Sequence, residues 1–147
     1  MKKILSILSL SLFMLFTLGS VDEGGSKYPP KTEDGKLDMS QILTTKASEI
    51  KRRYRENEIA AKSEFKNKWY IISGTIRGFD STFGMLSLDL SSNDGMDIHC
   101  LFPKDSAPVL SKLKKGDFVT ICGKIDFTLG DIDLDNCIIL KKPETAR

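Results

Sequence analysis

Residues 69–102 read WYIISGTIRGFDSTFGMLSLDLSSNDGMDIHCLF. Apolar residues recur at every second position, the period of an extended chain whose side chains alternate between two faces. Tyr70, Ile72, Gly74 and Ile76 share one face of a first strand. Trp69, Ile71, Ser73 and Thr75 share the other, so both faces are expected to be partly covered. Gly74 in mid-strand permits a sharp bend or a close approach of backbones. The stretch 80–84 (DSTFG) is a turn, and 85–90 then alternates with Leu86, Leu88 and Leu90 inward. A second turn at 91–95 (SSNDG) is rich in residues that tolerate positive φ. Residues 96–102 give a third strand, with Ile98, Cys100 and Phe102 inward.

The pattern continues downstream. Pro103 ends the third strand, and 105–116 reads as a short helix closed by Gly116. A fourth strand over 118–125 places Val119, Ile121, Gly123 and Ile125 on one face. Leu129-Gly-Asp turns the chain into a fifth strand over 132–140, with Ile132 and Leu134 inward. Asp135-Asn136 marks a bulge, after which Cys137 and Ile139 face in. Five strands, each with one apolar face, are stable when the sheet closes on itself. The order of three strands, a short helix and two strands predicts a mainly β fold with N-terminal helices: a five-stranded OB-fold Greek-key barrel over 67–141.

Upstream, 38–66 is expected to be helical. Asp38 or Ser40 is a candidate cap, and Ile42, Leu43, Ala47, Ile50 and Tyr54 fall at near-helical spacing. A second short helix over 57–65 would bury Ile59, Ala60, Ala61 and Phe65. Between Lys46 and Lys68 there are eight basic and four acidic side chains. Two readings stay open for this excess: a solvated face with i,i+4 pairs such as Glu58–Lys62, or a phosphate-binding face carrying Arg52, Arg53 and Arg55. Residues 21–37, with Gly24, Gly25, Pro29, Pro30 and Gly35, read as a flexible linker, and 142–147 as a polar tail.

The first 20 residues have the three-part layout of a secretory signal: Lys2 and Lys3, an uncharged apolar run from Ile4 to Leu18, then Gly19 and Ser20. The run is short for a membrane span, which needs about 20 residues. The chain is therefore expected to be exported, periplasmic or secreted, with no stable membrane span in the mature part; the alternative is a tether by an uncleaved signal anchor. The first cysteine is Cys100, so a lipid-bearing cysteine after the apolar run is absent. The whole chain has 22 Lys+Arg and 20 Asp+Glu. Two of those lysines belong to the signal, which leaves 20 of each and no global charge to attract phosphates.

The chain resembles the tRNA-anticodon-binding-like OB family of bacterial exported proteins and lipoproteins. The resemblance is carried, in order, by YRENEIAA at 54–61, KWYIISGTI at 68–76, IHCLF at 98–102, LKKGDFVTICGK at 113–124 and DLDNCII at 133–139. It covers about 46–140. It implies the OB-fold, by likeness to anticodon-binding domains, and does not by itself imply tRNA binding.

No catalytic group is expected. His99 and Cys100 are adjacent on a strand and point to opposite faces, so they cannot act as a dyad. One histidine and three scattered cysteines do not make a metal site, and no cofactor is expected. OB-folds bind strands on the outer face of their second and third strands. That face would show Met85, Ser87, Asp89, Asp97, His99 and Leu101, flanked by Arg77 and by Phe79 and Phe83 at the first loop. Two carboxylates and one aromatic make a poor stacking platform. The partner is expected to be a protein, glycan or small ligand, with an oligonucleotide bound through the basic N-terminal helices as the less favoured alternative. Cys100 and Cys137 are expected to face the interior from neighbouring strands, either as a disulfide or as two buried free thiols, with Cys122 left outside.

Overall fold

The computed structural model describes residues 26–91 and 96–141. The expected signal, the start of the linker, residues 92–95 of the second turn and the polar tail lie outside the described residues. The elements are β1 (Leu43–Lys46), α1 (Ala47–Glu56), α2 (Glu58–Phe65), β2 (Trp69–Asp80), β3 (Leu86–Ser91), β4 (Ile98–Phe102), α3 (Ala107–Leu110), β5 (Phe118–Thr128) and β6 (Asp131–Lys141).

Strands β2, β3 and β4 form an antiparallel meander. Strand β6 lies parallel to β4 and antiparallel to β5, and β5 pairs back onto β2, which closes the barrel. This is the predicted OB-fold topology. The period-two reading places the interior correctly. Ile72, Ile76, Leu88, Leu90, Ile98, Val119, Ile121, Ile125, Ile132 and Leu134 are buried in one cluster. In so narrow a barrel these side chains fill the interior.

Strand β2 explains why both of its faces are apolar. Its inward residues join the core, while Trp69 and Ile71 form a second small cluster with Ile42 and Cys122 on the outside. One edge of residues 69–75 pairs with β5. The other edge takes β1 in parallel at 70–73 and β3 from Thr75 onward. Helices α1 and α2 cover one end of the barrel. Tyr54 stacks on Phe127 with ring centroids 5.4 Å apart, and Phe65 packs at a tilt on Tyr70. Asn57 caps α2 by accepting from the Ala60 amide at 3.0 Å.

Several expectations change. Residues 38–46 are not helical: Leu43–Lys46 adds a parallel strand to β2, and α1 starts at Ala47 without a side-chain cap. Two successive β-branched residues (Thr44, Thr45) and a free strand edge favour extension over a first helical turn. Ile59 and Ala60 are exposed rather than buried, because Ala61 and Phe65 alone face the barrel from α2. Phe79 belongs to β2 and not to the loop. The helix before β5 is only Ala107–Leu110, preceded by a 3-10 turn at Lys104–Ser106. The described part of the linker is folded: Lys31 and Leu37 form an antiparallel bridge, and Pro29 is buried. Cys122 lies outside the barrel wall yet is buried under Ile42 and Trp69.

Among the described residues no helix is long and apolar enough to cross a membrane.

Candidate functional site

The register fixes which loops border the outer face of β3, β4 and β6. Strand β6 begins beside the start of β4, where Ile98 pairs with Ile132. Strand β3 begins opposite the end of β4, where Leu86 pairs with Phe102. The β5–β6 turn and the β2–β3 loop therefore stand at opposite ends of β4. At about 3.3 Å per residue, the strand holds them roughly 13 Å or more apart.

Both loops carry a bare apolar tip. Phe83 is 95% exposed with φ 54°, and Leu129 is 101% exposed with φ 51°. The left-handed region costs an L-residue about 1–2 kcal/mol and is normally left to Gly, Asn or Asp. The other two non-glycine residues there among those described, Asn67 and Asn136, obey that preference. Leu129 and Gly130 (φ 96°) form the two-residue turn between paired Thr128 and Asp131, a geometry that calls for positive φ at both positions. Phe83 is held by Asp80, whose carboxylate accepts from the Thr82 amide at 3.0 Å and from its hydroxyl. The hydroxyl of Thr82, more than any other group, holds the Asp80 carboxyl below its usual range.

The face between the tips is polar and partly matched internally: one oxygen of Asp97, Oδ1, is buried with no hydrogen-bond partner among the described residues. His99 Nδ1 lies 2.6 Å from Asp89 Oδ1, and in the ladder His99 stands between Asp89 and Asp133. Arg77 donates to Asp97 Oδ2 at 2.8 Å. An incoming phosphate would meet three carboxylates here and one arginine already engaged.

Beneath the β2–β3 loop lies a cavity of about 380 Å³, floored by Phe79, Leu86, Leu110 and Leu113. Phe79 pairs with Leu88 and so turns to the inner face, where it closes the mouth of the barrel. The two phenylalanines expected to act together are thus separated: Phe79 closes the mouth and Phe83 stands in solvent.

The basic helix residues are elsewhere. Arg52 bridges Glu49 and Glu56, and Arg53 bridges Glu64 and Glu49. With Arg55 they lie on α1, at the barrel end opposite Phe79. Glu58 and Lys62 pair as the i,i+4 reading expected. The structure does not bring Arg52, Arg53 and Arg55 together with Arg77, Phe83 and His99. Leu129 was missed in sequence because a turn leucine looks unremarkable; the signal was a Leu-Gly pair where Asn-Gly is the ordinary choice.

The three cysteines are free thiols and all are buried. Cys100 and Cys137 share the barrel core, as expected, but are not bonded. Burial pushes the Cys122 thiol up to about 11.

A closed Greek-key barrel whose loops border a polar outer face is the architecture of OB-fold binding domains. The chain belongs to the tRNA_anti-like family, whose model matches residues 1–139; that family is a binding domain. Its fold is similar to that of a Klebsiella pneumoniae lipoprotein provisionally named as nucleic acid-binding, with 16% identity and a TM-score of 0.58 over 69% of this chain and 94% of that one. It is also similar to a provisionally named aspartyl-tRNA synthetase from Leishmania major, with 12% identity and a TM-score of 0.50 over 80% of this chain and 24% of the synthetase. No curated protein matches the chain.

Proposed function

We infer that the protein is an exported, non-catalytic OB-fold binding module that engages a protein or small ligand through its barrel loops. One observation carries this reading. Phe83 and Leu129, on the two loops that border the outer face, hold apolar side chains in water at backbone angles that disfavour them. Strain of this kind persists where the side chain is needed, and it clusters at binding sites. Export is supported by the signal-like first 20 residues.

The oligonucleotide reading rests on the basic face of α1. It is weakened because Arg52 and Arg53 are already shared among glutamates. The name of the Klebsiella neighbour favours it, but likeness at 16% identity carries fold rather than ligand.

The test is retention of partners from the exported fraction on the immobilised domain. Capture should be lost in Phe83→Ser and Leu129→Asn and kept when Arg52, Arg53 and Arg55 are replaced by glutamine. Capture of nucleic acid that disappears with the arginines and falls steeply with salt would reverse the assignment.

A further inference from the structure

We propose that Cys100 and Cys137 are a disulfide site, closed by thiol–disulfide exchange when the chain enters an oxidising compartment. The inference rests on the export reading only for where the oxidant is met; the rest is geometry.

The two sulfurs sit at the weakest seam of the barrel. Strands β4 and β6 share three register pairs, Ile98–Ile132, His99–Asp133 and Cys100–Leu134. By contrast, β2 and β5 share seven pairs and β5 and β6 share eight. Beyond Cys100 the strands part. A groove of about 430 Å³ opens between Phe102 and Pro103 on one side and the Asn136–Ile139 stretch on the other, with Tyr28 and Pro29 along it. The bulge at Asn136 (φ 52°) resets the side-chain alternation, so Cys137 turns inward as Leu134 does. Cys137 Sγ donates to the Leu134 carbonyl at 3.2 Å, and Leu134 is the ladder partner of Cys100. Cys100 Sγ donates to the Ile98 carbonyl at 3.8 Å, so both thiols lie inside the barrel at the β4–β6 seam.

Room for the sulfur is built into the opposite strand. A Cβ on Gly123 would lie 2.9 Å from Cys137 Sγ, closer than such atoms approach, so the bare glycine is what admits it. Cys122, the odd thiol, is on the other side of the β5 wall among Ile42, Trp69 and Ile71 and does not compete.

The chemistry balances with a disulfide as the oxidant, either a small-molecule disulfide or a dithiol oxidoreductase in its oxidised form. Cys137 lines the groove floor and is the sulfur that an incoming disulfide reaches when residues 28–31 shift. Its thiolate attacks, one oxidant sulfur leaves as thiol, and a mixed disulfide forms. The Cys100 thiolate then displaces the second oxidant sulfur. Both cysteines lose a proton, two electrons pass to the oxidant, and one S–S bond replaces another. The product ties β4 to β6 where the ladder ends.

The experiment uses the full chain without its first 20 residues, purified under reductant and equilibrated with mixtures of oxidised and reduced glutathione. Samples are alkylated in denaturant and read by intact mass and peptide mapping. The expected product has one alkylated thiol, Cys122, and a linked peptide pair holding Cys100 and Cys137. Its thermal midpoint should rise by roughly 10 °C, because the crosslink closes a long loop of the unfolded chain. Cys137→Ala should form no link, and Cys122→Ala, which leaves the seam intact should Cys137→Ala fail to fold, should form the link and carry no alkylated thiol. Three alkylated thiols at every oxidising ratio would overturn the proposal, as would glutathione adducts without a link. A parallel arm expresses the chain with its own N-terminus in a bacterial host and fractionates the cells. Retention in the cytosol with a link still forming in vitro would sink export and leave the disulfide site standing.

Discussion

Replacing Gly123 by alanine tests whether the interior is as crowded as the closed barrel requires. The added Cβ would sit 2.9 Å from Cys137 Sγ and 2.9 Å from both Cγ and Cδ2 of Leu134. None of these is the free end of a long flexible side chain, so something in the wall must move. Overpacking of this kind costs about 1–3 kcal/mol. Restricting the unfolded chain returns about 0.4–1 kcal/mol, which leaves a net loss of roughly 1–2 kcal/mol. Gly74→Ala is the internal control. Its Cβ would meet only Leu90, at 3.3 Å and beyond, so a shift of a few tenths of an ångström relieves it and its net effect should be much smaller. The sharper test is a double-mutant cycle with Cys137→Ala, measured by urea unfolding under reductant. Removing the sulfur vacates part of the space that the new methyl needs. The two changes together should therefore cost less than their sum, by at least about 0.5 kcal/mol. Additivity would mean that β5 and β6 do not present these residues to one shared interior, and the packing argument for closure would fail.

Further outcomes follow from single residues. Leu129→Asn should raise stability by about 1 kcal/mol by relieving the left-handed leucine, read as a urea midpoint, while lowering ligand capture. Phe83→Ser should leave stability within about 0.5 kcal/mol, since the ring touches little, and also lower capture. The Asp135 carboxyl is held above its usual range, first by partial burial and then by Asp133 and Asp126. The folded form thus holds this proton more tightly than the unfolded form, and stability declines as pH rises from 3.8 through the folded value. Asp135→Asn should raise the urea midpoint at pH 7 and give no gain near pH ~3. In the folded, reduced protein Cys100 and Cys122 should resist an external thiol reagent until urea exposes them, because each is buried away from the groove that Cys137 lines.

The barrel was legible because alternation is a strong signal when every strand buries one face. Leu88–Leu90, Ile98–Phe102 and Val119–Ile125 each fix their own parity, and the bulge at Asp135-Asn136 could be read from the switch that carries Cys137 inward. The segment before α1 was misread for a physical reason. Ile42 is apolar at a spacing that suits a helix, yet it is buried against Trp69 and Cys122 on the outside of β2, a contact that only the closed sheet creates. Ile59 misled in the same way, since α2 is too short for its periodicity to say which side faces the barrel. The arginines were legible as a basic run, and their pairs with Glu49 and Glu56 follow helical spacing within α1, but the Arg53–Glu64 pair depends on how α1 and α2 lie against each other. Backbone angle is invisible in composition, which is why Leu129 escaped notice.

The balance of forces on the outer face limits how any partner can sit there. Burying a large apolar side chain yields about 1.5–3 kcal/mol, so Phe83 and Leu129 together offer roughly 3–6 kcal/mol before the costs of association. The strip between them offers little. Covering the Asp89–His99 and Arg77–Asp97 pairs without replacing their water would strip solvent from carboxylates and an arginine, a change that is commonly neutral or unfavourable. A partner gains most by touching both tips and leaving the centre wet. Its affinity should then depend weakly on salt, and charge removal at the centre should matter less than either tip. A phosphate-reading partner makes the opposite demand, because counterion release ties its affinity to ionic strength. Measuring capture at about 50 and 200 mM salt therefore separates the two by slope: a loss of tenfold or more across that interval would show that the loop tips are not what holds the ligand.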